Sequence, residues 1–205
     1  LERERRRYGR QHYIPHLAAA RSYEQLWTVV EEGSYGRAKL RDDPSGRSYL
    51  LDLDVARDAV IASAENEAAG TTAILGQLWR YSLLRCMLAS RAENLPDEFF
   101  SLMAQLGEEQ YVINLAEMLT ESLWKAERLA LIAKELGRKP QRRADAQTVL
   151  ARARQVARDS ARCELRVDAF IKVAEAAIEI GELNLAAEVW DDACREIPEI
   201  PSASV

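Results

Sequence analysis

VDAFIKVAEAAIEIGELNLAAEVWDDACREIPEI, residues 167–200, is the stretch on which the fold turns. Phe170, Val173, Ala174 and Ala177 recur at the steps of three and four that place side chains on one face of an α-helix. Gly181 interrupts the pattern, Ala186, Trp190 and Ala193 resume it, and Pro198 ends it. The stretch therefore predicts two helices and a tight turn. Small side chains at Ala174 and Ala186 let the two helices approach, and Phe170 and Trp190 are placed to fill the layer between neighbouring hairpins.

Outward from this stretch the same form repeats. Gly107, Gly137 and Gly181 close the segments LMAQLG, LIAKELG and AAIEIG, each placed to take a left-handed C-terminal cap. The spacing predicts helices over 97–106, 108–120, 122–136, 141–158, 161–180 and 183–196. Nearer the N-terminus, helices are expected over 3–19 with a kink or break near Ile14 ahead of Pro15, from Tyr23 through Val30, over 35–41, and over 49–67 up to Gly70. Residues 71–92 carry the widest apolar stripe, which calls for neighbours on more than one side. Pro96, Asp97 and Glu98 suit the first turn of a helix. The expected fold is all-α, an antiparallel array of helical hairpins. Its parts are an N-terminal helical segment (1–94), helical repeats (95–200) and a disordered tail (201–205).

Composition narrows the function. The net charge of -5 argues against nucleic-acid binding by the whole surface. Cys86, Cys163 and Cys194 are odd in number and lack C-x-x-C spacing, which suits reduced thiols and a cytoplasmic protein. No apolar run is long enough to cross a membrane. The chain starts at Leu1 and its first methionine is Met87, so it is expected to be part of a longer protein.

Residues 167–200 resemble a tetratricopeptide repeat, with Phe170, Ala174, Gly181, Ala186, Trp190, Ala193 and Pro198 at the packing and turn positions. Ala177 stands where the repeat usually has tyrosine. Residues 123–158 resemble a stretched copy. Leu129, Ala130 and Gly137 match the first helix; Ala146, Leu150 and Ala153 match the second only with a short insertion near 138–143. The resemblance implies an α-solenoid that docks a protein or peptide in a concave helical groove.

A second resemblance covers residues 8–136. HYIPHLAAARSYEQLWTVVEEGSYGRAKL (12–40), YLLDLDVA (49–56) and LWRYSLLRCMLASRAENLPDEFF (78–100) are similar to the helical region that follows the nucleotide-binding and winged-helix domains of STAND-class signal-transduction ATPases. It implies the sensor part of a regulatory switch, with the ATPase domain upstream in the same chain. The sequence contains no G-x-x-x-x-G-K-[ST] phosphate loop.

Candidate chemistry is sparse. His12 and His16 share a helical spacing, but Pro15 lies between them and no third ligand completes a zinc set. The cysteines sit in apolar or alanine-rich contexts without a nearby base, as buried structural thiols do. Asp42 with Asp43, Asp52 with Asp54, and Asp191 with Asp192 read as loop or solvated-face charges rather than acid–base pairs. The four tryptophans read as core residues. The pattern that stands out is basic: Arg138, Lys139, Arg142 and Arg143 at a turn, then Arg154, Arg158, Arg162 and Arg166 every fourth residue. Such a stripe could take a phosphate or an acidic partner, although interleaved acids can pair with it locally. The expected function is a non-catalytic interaction or sensing module with no cofactor and no metal. The alternatives are a free-standing adaptor and a nucleic-acid-binding repeat that uses the arginine stripe.

Overall fold

The computed structural model describes residues 2–66 and 71–197. Among these residues the chain forms eleven α-helices, one short 3-10 turn and no strand. The helices are α1 (Glu2–Ala19), α2 (Tyr23–Glu31), α3 (Gly33–Asp42), α4 (Arg47–Asn66), α5 (Thr71–Glu93), α6 (Asp97–Gln105), α7 (Glu109–Met118), α8 (Ser122–Gly137), α9 (Arg143–Arg158), α10 (Cys163–Glu179) and α11 (Leu183–Glu196). The 3-10 turn spans Pro140–Arg142. The protein is thus an all-α helical array. Gly70, Pro198 and the tail 201–205 lie outside the described residues.

α1 runs through Pro15 without a break, as a helix over 3–19 requires. One local expectation is corrected. Gly137 belongs to α8 and takes no left-handed cap, whereas Gly107 (φ +93°) and Gly181 (φ +78°) do take that conformation. A side chain at Gly137 would run into the Cβ and Cγ2 of Ile180, so the glycine serves a close approach rather than a turn. Residues Pro140–Arg142 form a 3-10 turn between α8 and α9.

The chain divides into two compact units between Arg91 and Ala92. In the first, α4 packs on α1, α2 and α3. Its core holds Ile14, Leu17, Leu26, Val30, Leu53 and Val60, all buried. On the described part of α5, Tyr81 and Leu88 are buried on one face, and Trp79 and Met87 on the other are exposed. Among the described residues the wide stripe of α5 is covered on one side only.

In the second unit the hairpins α6–α7, α8–α9 and α10–α11 follow one another. α8 packs on α6, α7, α9 and α10, and α10 packs on α8, α9 and α11. Alanine makes the close packing possible: Ala126, Ala130, Ala133, Ala146, Ala153, Ala157, Ala174 and Ala177 are all buried. Leu129, Ile132, Leu136, Leu150 and Phe170 fill the remaining space.

Candidate functional site

The first helices of the three hairpins, α6, α8 and α10, border a groove of about 130 Å³. Asp97 enters from the start of α6, Glu127, Leu131 and Lys134 from α8, and Lys172, Glu175 and Glu179 from α10, with Ala130 and Ala176 at the floor. The α8 and α10 residues recur at steps of three and four, so each helix turns one face to the groove. Ala130 and Ala176 are buried. Their small side chains leave the space that larger ones would fill.

The groove is charged and partly cross-linked. Lys134 Nζ lies 2.6 Å from Glu179 Oε2, which ties α8 to α10. Lys172 reaches Glu175 at 3.5 Å along α10. Asp97 pairs with Arg128, whose guanidinium also lies 5.3 Å from the centre of the Phe100 ring. Four carboxylates against two lysines line the space, so it is net acidic. Leu131 supplies an apolar contact.

Of the basic residues singled out from the sequence, Arg162 is exposed, and the other seven are held by internal acceptors. Arg138 donates to Glu135 at 2.7 Å, and Lys139 Nζ to the backbone oxygen of Gln105 at 2.9 Å. Arg142 bridges Glu109 and Asp145, each at 2.5 Å. Arg143 meets Glu182 at 2.7 Å. Arg154 and Arg158 both donate to Asp192 Oδ2 at 2.8 Å, and Arg154 also reaches Glu188. Arg166 holds Glu196 and the backbone oxygen of Ser160. Arg152 pairs with Glu117. An anion at these positions would compete with carboxylates already in place. The side chains of α9 thereby fasten it to α7 on one side and to α11 on the other.

These contacts set several charges. Burial pushes Asp192 up, but the hydrogen bonds from Arg154 and Arg158 outweigh it and hold its carboxyl below the usual range. Glu109 is lowered in the same way, burial being overcome by Arg142. Glu182 is lowered by its hydrogen bonds to Arg143 and Gln147.

The repeat-packing residues divide. Phe170, Ala174, Ala186 and Ala193 are buried, and Gly181 makes the turn. Trp190 is 54% exposed and does not fill a layer between hairpins. α11 buries Ala186, Val189 and Ala193, and Trp190 lies one step round the helix from that face. Trp79 and Trp124 are exposed as well, contrary to the core reading. The thiols of Cys86 and Cys194 are exposed and that of Cys163 half-buried, not buried as expected.

One cluster in the first unit was not legible as such. Asp52 is buried, not solvated; its Oδ2 accepts from Tyr35 Oη at 2.7 Å and from Lys39 Nζ at 2.8 Å. Burial raises the Asp52 carboxyl above its usual range despite those two donors. Burial and Asp52 together raise the Tyr35 hydroxyl. Gly36 makes room for the Tyr49 ring beside them. Asp43 is likewise not a free loop charge, since it accepts from the backbone nitrogens of Ser45 and Ser48 at the start of α4. Asp54 pairs with Arg85 of α5 at 2.9 Å. His12 and His16 lie with ring centres 6.3 Å apart on α1. Among the described residues no three metal-ligating side chains come together.

The fold and groove define an all-α array of helical hairpins with an acidic, alanine-floored cleft. Comparison with protein families, with curated proteins and with solved structures finds no match to this chain. No helix among the described residues is long and apolar enough to cross a membrane.

Proposed function

We propose that this chain is a non-catalytic protein-interaction module, whose second unit receives a peptide segment in the groove between α6, α8 and α10. The observation that carries this reading is the groove itself. It is lined by matching faces of α8 and α10, with Asp97 at the start of α6, over buried alanines and with a rim of charge. That is the arrangement by which stacked helical hairpins hold an extended or helical partner. Its net acidic lining selects a segment with basic side chains, and Leu131 selects an apolar residue among them. The likeness of residues 12–40 and 78–100 to the sensor region of STAND-class regulators supports a wider role. In it, binding at the groove reports to an ATPase domain of the same protein, and the module works in the cytoplasm.

The test is selection of peptides displayed at random against the full chain. The expected winners are net basic with one central apolar residue. Their affinity, measured by calorimetry, should fall about tenfold or more in a Leu131→Ala, Glu175→Lys double variant. Selected peptides that bind this variant as well as the parent would remove the groove as the site. A parent gene without a nucleotide-binding domain would remove the ATPase part alone and leave a free-standing adaptor.

A further inference from the structure

α9 and α11, the second helices of their hairpins, match residue for residue. Ala146, Leu150 and Ala153 fall in order on Ala186, Trp190 and Ala193 at one constant offset. The shared alanines are buried in both helices. Beside that buried face each helix has two flanks. One looks back to the preceding hairpin: Arg152 of α9 meets Glu117 of α7 there, and Asp192, the matching residue of α11, meets Arg154 and Arg158 of α9. The other looks forward, about half a turn round the helix. On α9 the forward flank carries Arg143, Leu150, Arg154 and Ala157. The next hairpin covers it. α10 packs on α9, Leu150 and Ala157 are fully buried, and Arg143 and Arg154 reach Glu182 and Glu188.

At the same four positions α11 carries Leu183, Trp190, Cys194 and Ile197. Leu183, Trp190 and Ile197 are 65%, 54% and 54% exposed, and Cys194 is exposed as well. Ala187, between them on the same flank, is also exposed. α10 adds Ile178, which precedes Gly181 as Lys134 precedes Gly137. Lys134 crosses to Glu179 of the following hairpin, whereas Ile178 is 56% exposed. Among the described residues nothing covers this forward flank. It is also apolar where the preceding hairpin is charged: Leu183, Cys194 and Ile178 stand in place of Arg143, Arg154 and Lys134. A terminal repeat that caps a stack turns a polar face outward. α11 turns an apolar one.

We propose that Leu183, Trp190, Cys194 and Ile197 of α11, with Ile178 of α10, seat the first helix of a further helical hairpin of the same protein, next after α11. The preceding hairpins say what the occupant is. α8 packs on α6 and α7, and α10 packs on α8 and α9, so each earlier hairpin takes the first helix of the one that follows it. The residue types say how it differs from α10–α11. That hairpin offers Glu179, Glu182 and Glu188 to the cations of α8 and α9. The further hairpin offers small or apolar side chains at those places, because Ile178, Leu183 and Cys194 give an acid no partner and a buried unpaired charge is costly. Trp190 then fills the layer between hairpins, as Leu150 does one repeat earlier.

The experiment compares chain 1–205 with the same chain extended by the parent protein's next residues, about 50 of them, enough for one hairpin. The readout is the rate at which iodoacetamide alkylates Cys194, followed on its own peptide by mass spectrometry. The expected result is a rate about tenfold or more lower in the extended chain, because thiol reactivity follows access. Trp190→Glu should restore the fast rate in the extended chain. In chain 1–205 the same variant should leave the melting temperature within about 2 °C, since Trp190 is exposed there. Equal rates in the two chains, a rate in the extended chain indifferent to Trp190→Glu, or a stop codon directly after Val205 overturns the proposal. A rate in chain 1–205 that falls as the protein is concentrated from about 1 to 100 μM assigns the flank to a second copy, and overturns it too.

Discussion

Gly137 closes α8 in ordinary helical geometry, yet a methyl group there would overlap Ile180. Gly137→Ala should therefore destabilise the second unit by about 1–3 kcal/mol, despite alanine's better helix propensity. Urea denaturation measures this. Adding Ile180→Ala should recover part of the loss, and full additivity of the two changes would show that the contact is not the cause. Asp192 gives a second test at this scale. It is 6% exposed and takes hydrogen bonds from Arg154 and Arg158. Replacing Asp192 with alanine leaves two guanidinium groups short of an acceptor and should cost about 1–3 kcal/mol. For the same reason, Arg154→Glu should lower stability as well as alter any anion binding. A loss of anion binding at unchanged stability would show that Arg154 is available to a ligand.

At the scale of elements, the hairpin turns and the bridges between them behave differently. Gly107 and Gly181 take left-handed backbone angles after α6 and α10, so alanine at either should cost about 1 kcal/mol. Asparagine should cost less, because it tolerates that region better. Thermal melts of the four variants check the order, and equal losses for alanine and asparagine would argue against backbone strain as the source. Between hairpins, α9 is tied to α7 by Arg152 with Glu117 and to α11 by Arg154 with Glu188 and Asp192. The pair with Glu188, whose side chain is 62% exposed, contributes little by itself, whereas Glu117 and Asp192 are largely buried. The effect of the pairs is to set how one hairpin is registered on the next, and hence how the faces of α6, α8 and α10 border the groove.

At the scale of the molecule, acid should weaken the fold. Asp43, Glu109, Glu182 and Asp192 are all held below their ordinary values. A depressed carboxyl stabilises the folded chain above its ordinary value and ceases to do so as the pH falls through the lowered one. Stability should thus be level from about pH 6 to 8 and decline below about pH 5. Asp52, raised by burial, opposes this trend. Its protonated form is favoured in the folded chain, so its contribution weakens as the pH climbs above the ordinary value. The urea midpoint against pH is the check, with Asp192→Asn expected to flatten the acid limb. A midpoint constant from pH 7 to 3 would contradict the ionic network.

Sequence alone determined the helices of this protein. Helical periodicity is local, so apolar steps of three and four, with Gly107 and Gly181 at the breaks, located the hairpins from α6 to α11 within a few residues. It also marked the alanine faces that let helices approach. Partnership was not legible, because it joins residues far apart in the chain. Arg154 and Asp192 are 38 residues apart, and Lys139 is 34 from the oxygen it binds. The arginines therefore read as a stripe open to an anion, and Asp52 as a solvated charge. The groove had the same obscurity: α6, α8 and α10 show their faces in sequence, but only their packing decides which side chains share a cleft. Trp79 and Trp190 read as core because large aromatic side chains favour burial. Whether such a side is covered depends on what packs against it, and only the tertiary structure supplies that neighbour.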